Sequence, residues 1–194
     1  RPAYPADPDE AAPLPDEIRP YLQATQLYNT EDPAIRKASV DAVGERTDLI
    51  ARGRAIRDWV DNRLKFKSMQ VGQATASEVL RRRVGDCTEH SVLVVALARA
   101  NGIPARTVDV LVFVPRWGDR ENVLGGHQWV QLYILGRWID FDAAISGDPA
   151  GAFRIATGYG SPDARQSPAA VKAIFSLYGN VVSARVSEVK RKEQ

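Results

Sequence analysis

The chain has 194 residues, 44% of them hydrophobic and 26% charged, a composition typical of one well-packed globular domain. Its 26 basic and 24 acidic residues leave a formal charge of +2 and are scattered along the sequence, so we expect no nucleic-acid partner. No apolar run approaches the roughly 20 residues that cross a bilayer, so we expect no membrane span in this chain. It starts with Arg1, which we interpret as a processed or cut N-terminus; periplasmic, secreted and cytoplasmic locations all stay open.

The first segment differs in composition from the rest. Residues 1–30 are rich in proline and acidic residues, and we interpret them as an arm or linker before one domain over residues 31–194. Hydrophobic spacing then predicts a helix over residues 47–64 and a short one over 77–83, capped by Ser77 or Thr75. A third, almost wholly apolar helix starts at Asp86 or Cys87 and ends at Gly102, so we expect it to be central and buried.

Beyond this helix the pattern changes to that of strands. Alternating residues predict strands over 105–114, 127–134, 137–145 and 153–160, with Leu135-Gly136 as a hairpin loop. A helix over 167–179 and a strand over 180–189 complete the chain. Helices followed by strands predict an α+β fold, with the central helix packed on an antiparallel sheet.

Cys87 is the only cysteine, so the chain has no internal disulfide. The motif GDCTEH places it in the first turn of the central helix, where Asp86 and Glu89 have the spacing of a capping box. A helix N-terminus favours a thiolate, which is the form of cysteine that attacks carbonyl groups. The location therefore indicates a nucleophile, provided that the chain supplies a base.

The chain offers two histidines as that base, His90 and His127. His90 lies on the same helix as Cys87 and has no separate strand to orient it. His127 begins a predicted strand, and if Ile134 and Arg137 close the hairpin, Asp142 lies diagonally beside it on the same sheet face. Asp140 shares that face one step further away, so the register favours Asp142 as the residue that orients His127.

In this register the opposite face of the hairpin carries a stripe of apolar side chains. A slip of one residue would break both this stripe and the His127–Asp142 pair. The predicted core residues are Val130, Leu132, Ile134, Ile139 and Phe141.

The segments GDCTEHSVLVVALARANGIPAR and GHQWVQLYILGRWIDFD together resemble the bacterial transglutaminase-like superfamily, which has a papain-like fold. The resemblance covers roughly residues 50 to 190 and implies a catalytic triad of Cys87, His127 and Asp142. Two departures from the family pattern could reshape the pocket: Gln128 stands where a small residue is commoner, and Asp142-Ala143 replaces the frequent Asp-Pro.

The implied chemistry is acyl transfer through a thioester on Cys87, from a peptide or protein substrate with an amide carbonyl. Water as acceptor gives a cysteine-dependent amide or peptide hydrolase, which we prefer, and an amine gives transglutaminase cross-linking. The backbone N–H of Cys87 is one expected oxyanion donor. Gln70, Gln73 and Trp59 are candidates for the second donor.

Three other interpretations compete with this one. Cys87 taken alone fits a buried structural residue. Cys87, His90, His127 and Asp142 could instead hold zinc, although structural zinc sites usually have paired ligands at both ends, so we expect no metal and no cofactor. A catalytically silent binding module on the same fold is the third alternative.

Overall fold

The computed structural model describes residues 13–64, 74–117, 119–145, 154–160 and 162. A short 3-10 helix, Arg19–Leu22, precedes four α-helices and four strands. The helices are α1 (Pro33–Val43), α2 (Leu49–Arg63), α3 (Ala76–Arg82) and α4 (Cys87–Ala100). The strands are β1 (Ala105–Trp117), β2 (Arg120–Ile134), β3 (Arg137–Phe141) and β4 (Arg154–Tyr159).

Each α-helix begins at a side chain that accepts a hydrogen bond from its first turn. Thr75, not Ser77, caps α3, and its capping box is completed by Glu78. Helix α1 was not predicted, although Asp32 caps it, accepting from Ala34 N at 2.8 Å, and Pro33 stands at its first position. These start signals are local and present in the sequence, so α1 could have been predicted from them.

Helix α4 is the centre of the fold, as predicted. Every residue from Glu89 to Arg99 is buried, because α1, α2 and α3 pack around it and β1 and β2 lie beneath it. A helix that is apolar nearly all round requires such surroundings.

The four strands form one antiparallel sheet in the order β3-β2-β1-β4. The predicted hairpin register is confirmed: Ile134 pairs with Arg137, and Gln131 pairs with Asp140. The loop residues Leu135 and Gly136 both have positive φ, 55° and 71°, as a type I′ turn requires. The predicted core stripe is also confirmed, since all five of its residues are buried in the main core cluster.

The fold is therefore α+β, with the cysteine-bearing helix packed on an antiparallel sheet. Part of the segment predicted to be an arm packs against this domain, because Ile18, Leu27 and Tyr28 are buried. The predicted helix over 167–179 and strand over 180–189 lie outside the described residues. Among the described helices, none combines the length and hydropathy that a membrane crossing needs.

Candidate active site

Cys87 is the first residue of α4, and a capping box fixes the backbone around it. The N–H of Asp86 donates to Glu89 Oε2 at 2.9 Å, and the N–H of Thr88 donates to Asp86 Oδ1 at 2.9 Å. Both bonds satisfy N–H groups that the first helical turn cannot pair internally. The thiol is thus presented from a rigid helix terminus.

Gly85 makes this terminus possible. A Cβ atom at position 85 would lie 2.2 Å from Glu89 Cβ, which is closer than two non-bonded carbon atoms can approach. Glu89 can therefore fold back over the start of α4 only because no side chain precedes Asp86. The glycine of the GDC motif has a packing role.

His127 and Asp142 are in direct contact, as the strand register predicted. His127 Nε2 lies 2.7 Å from Asp142 Oδ2, and the two side chains are 5% and 1% exposed. Since the carboxylate accepts, Nε2 carries the proton and Nδ1 is left as the nitrogen that can take up another.

Asp142 also ends strand β3. Its Oδ1 accepts hydrogen bonds from the N–H groups of Ala144, at 2.9 Å, and Ile145, at 3.0 Å. This turn explains why β3 stops at Phe141 rather than continuing to residue 145 as predicted. Burial alone would raise the pKa of Asp142, but His127 and the two backbone N–H groups outweigh it and hold the pKa below its usual value.

Gln128 brings the cysteine helix and the histidine strand together. Gln128 alternates along β2 with Val130, Leu132 and Ile134, so its main-chain N–H and carbonyl point to the side on which β3 pairs with β2. However, β3 ends before it reaches Gln128. Side chains of α4 bind these groups instead: the Gln128 carbonyl accepts from Ser91 Oγ at 3.1 Å, and the Gln128 N–H donates to the Cys87 sulfur.

The surroundings of Cys87 favour the neutral thiol. Burial, then the charge of Asp86, raise the pKa of Cys87 to about 12, against the Gln128 N–H, which lowers it. The charges of Asp142 and Glu89 raise it further. Cys87 is thus expected to be a neutral thiol at neutral pH in spite of its place at the start of a helix.

The other residues singled out in the sequence do not join this group. Asp140 accepts hydrogen bonds from Trp129 Nε1 and Gln131 Nε2, both at 2.9 Å, which ties the strands together. His90 lies with Nδ1 2.6 Å from the Asp86 carbonyl oxygen, supporting the helix start.

The three candidates for the second hydrogen-bond donor to the oxyanion remain predictions. The ring of Trp59 lies 5.0 Å from the guanidinium carbon of Arg63 and packs against the core, and residues 70 and 73 lie outside the described ranges. Sequence reasoning did not identify Ser91, although its position one helical turn after Cys87 places both residues on one face of α4.

The alternative zinc site finds no support in the geometry. Cys87, His90, His127 and Asp142 all fall within the described ranges, and no three His, Cys, Asp or Glu side chains there converge as metal ligands would.

Comparison with known proteins places this geometry in a family context. Residues 36–143, more than half of the chain, match the transglutaminase-like superfamily, and this range contains Cys87, His127 and Asp142. A curated protein of Haemophilus influenzae, named only as uncharacterized, is 29% identical over 153 residues, which are 66% of this chain and 40% of that protein.

Two solved structures are similar as well. A Cytophaga hutchinsonii protein named "Putative Cysteine Protease" superimposes with a TM-score of 0.68 at 26% identity, over 80% of this chain and 50% of that one. The periplasmic domain of TgpA from Pseudomonas aeruginosa has a TM-score of 0.47 at 21% identity, over 63% of this chain and 46% of that one. The chain thus spans half or less of the length of these relatives.

Proposed function

This chain belongs to the transglutaminase-like superfamily, and from that premise we propose that it is a cysteine-dependent hydrolase of amide or peptide bonds. The family resemblance predicted from the motifs is confirmed by the match over residues 36–143. In the proposed reaction Cys87 is the nucleophile, His127 the base and Asp142 the residue that orients the base.

One observation carries the proposal. The buried contact between His127 Nε2 and Asp142 Oδ2, 2.7 Å long, lies next to the peptide whose N–H donates to the Cys87 sulfur. A nucleophile, a base and an orienting carboxylate in this order are the recurring arrangement of covalent acyl-transfer enzymes. The charge of Asp142 acts on the thiol, which supports placing the three groups in one small region.

The proposed steps begin with a neutral thiol. His127 Nδ1 removes the proton as the sulfur attacks the carbonyl carbon, giving a tetrahedral oxyanion. The oxyanion collapses, the C–N bond breaks, and the imidazolium gives its proton to the departing amine, leaving a thioester on Cys87. Water then attacks the thioester with His127 again as base, which releases the carboxylic acid and restores the thiol.

The backbone N–H of Cys87 is the proposed first oxyanion donor. As the first residue of α4 it has no partner within the helix, and the positive end of the helix dipole favours the developing charge. One such donor is typically worth about 3 to 4 kcal/mol of transition-state stabilisation.

Hydrolysis is preferred to cross-linking because water is always available as acceptor and no described feature marks an amine-binding pocket. The name of the Cytophaga hutchinsonii relative, which is 26% identical, points in the same direction.

The proposal is tested with a peptide library made by digesting a cell lysate. The protein is incubated with the library in heavy-oxygen water, with and without an added primary amine, and the products are identified by mass spectrometry. We expect new carboxyl termini that carry the heavy oxygen, and no amine incorporated into glutamine side chains. Incorporation of the amine in place of heavy oxygen would establish cross-linking instead.

Cys87→Ala and His127→Ala should each abolish product formation. The matched control is Ser39→Ala, a buried serine on α1 that lies outside the proposed machinery. Undiminished turnover by Cys87→Ala would overturn the mechanism.

A further inference from the structure

The contact between α4 and β2 depends on a gap in the sheet. Because the Asp142 turn ends β3 at Phe141, none of the described strands pairs with the main chain of Gln128 on that side. Helix α4 fills the gap with two side chains, and His127, the proposed base, immediately precedes Gln128, the residue to which they bind.

We propose that Ser91 is a positioning residue that holds the nucleophile helix against the strand of the base. Ser91 lies one turn after Cys87, is 3% exposed, and donates its hydroxyl hydrogen to the Gln128 carbonyl at 3.1 Å. Together with the bond from the Gln128 N–H to the sulfur, it ties α4 to β2 at two points. Loss of the Ser91 bond leaves the sulfur free to shift relative to His127.

Gln128 is itself fixed from the opposite side, which makes it a firm anchor. Its Nε2 donates to Asp109 Oδ1 at 2.7 Å, and its main chain is in register with the same residue of β1. The strand therefore cannot follow the helix when α4 shifts. This role rests on the proposed function, because it matters only if Cys87 and His127 act together.

A purely structural role predicts a different result from a positioning role. Ser39 provides the matched control: it is 1% exposed, and its hydroxyl accepts from Asn101 Nδ2 at 2.6 Å, near the other end of α4. Ser91→Ala and Ser39→Ala each remove one buried hydrogen bond of α4, so similar losses of thermal stability are expected. Only Ser91→Ala should change the chemistry of Cys87.

The test measures how fast iodoacetamide alkylates Cys87, the only cysteine, between acidic and alkaline pH, by intact mass spectrometry. We expect Ser91→Ala to slow alkylation at neutral pH about five-fold and to shift its pH profile toward that of His127→Ala, with Ser39→Ala unchanged. A second pair of variants is Ser91→Thr and Ser91→Val. Their side chains have similar volumes and only threonine has a hydroxyl, so only the threonine variant should retain the wild-type pH profile.

Each outcome is decisive. If His127→Ala slows alkylation and neither Ser91→Ala nor Ser91→Val does, the positioning role is wrong while the proposed function stands. If His127→Ala alkylates like the wild type, the base role fails, and the proposed function and the role of Ser91 fail with it. If Ser39→Ala slows alkylation as much as Ser91→Ala, the effect is one of stability and the proposal is overturned.

Discussion

At the scale of single residues, Cys87 is a partly buried thiol with carboxylates nearby. The strand register was sufficient to choose Asp142 over Asp140, because both lie on the same sheet face as His127 and the register places Asp142 one step nearer to it. The protonation state of Cys87 could not be predicted in the same way. It depends on burial and on the carboxylates of Asp86, Asp142 and Glu89, which only the folded structure brings together.

The first prediction concerns this thiol. Because its pKa is raised to about 12, the folded protein should hold neutral Cys87 at neutral pH, and thiolate should form only in strongly alkaline solution. The ultraviolet absorbance of the thiolate measures this directly, as the difference between wild type and Cys87→Ala across a pH titration. A thiolate step below neutral pH would show that the dipole of α4 outweighs burial.

The second prediction concerns Asp142, whose pKa is lowered on folding. Between the folded and unfolded pKa values the unfolded chain binds more protons, so the ionised carboxylate stabilises the fold fully above about pH 4, and this contribution is lost as the pH falls through the lowered value. The stability difference between wild type and Asp142→Asn should therefore shrink on acidification, as measured by denaturant unfolding. A difference that stays constant down to strongly acidic pH would contradict the shift.

The same variant should lose activity at neutral pH. An amide nitrogen facing His127 Nε2 would favour the wrong tautomer, and the expected loss in kcat is about 10² to 10⁴-fold. Assay of Asp142→Asn against the substrate found for the wild type checks this. Wild-type kcat in the variant would exclude an orienting role for Asp142.

At the scale of secondary-structure elements, the site forms where one strand ends and one helix begins. Strand β3 stops at the Asp142 turn, and α4 starts at the Asp86–Glu89 capping box. The capping box was legible as a sequence motif, but the early end of β3 was not, because the continuing sequence still reads as a strand. Helix α1 is the reverse case. Its Asp-Pro start is a local signal that the sequence shows, but its packing against α4 is a tertiary feature that the sequence does not show.

The element-scale prediction concerns the start of α4. Gly85→Ala should displace Glu89 and lower the free energy of unfolding by about 1 to 3 kcal/mol, because the added Cβ overlaps that of Glu89. Urea unfolding measures the loss. The control is Gly158→Ala, whose Cβ would lie at an ordinary 3.8 Å from its nearest neighbour, Asp109 Oδ2. Equal stability of the two variants would mean that the capping box does not depend on Gly85.

At the scale of the whole molecule, Arg99 joins distant parts of the chain to α4. Its guanidinium donates to the carbonyls of Gln23 and Ala105, at 2.7 Å and 2.9 Å, and to that of Pro162 at 3.3 Å. It also lies 4.4 Å from the ring centroid of Tyr28. The sequence showed only an arginine within an apolar helix; its partners come from three segments far apart in the chain.

Arg99→Lys should therefore destabilise the protein although the charge is kept. A lysine cannot reproduce the planar fork or its stacking, and we expect a loss of about 2 to 4 kcal/mol in the free energy of unfolding. The matched control is Arg54→Lys on the exposed side of α2. If both variants unfold at the same urea concentration, Arg99 does not hold these segments together.

The central claim, that Cys87 forms a thioester with the help of His127 and Asp142, is tested most directly by trapping the acyl-enzyme. The protein is mixed with the peptide library, quenched in acid and examined by intact mass spectrometry. We predict an acyl adduct on Cys87 that hydroxylamine removes, that is absent from Cys87→Ala and that is strongly reduced in His127→Ala. Peptide turnover without any adduct on Cys87, persisting in Cys87→Ala, would contradict the account.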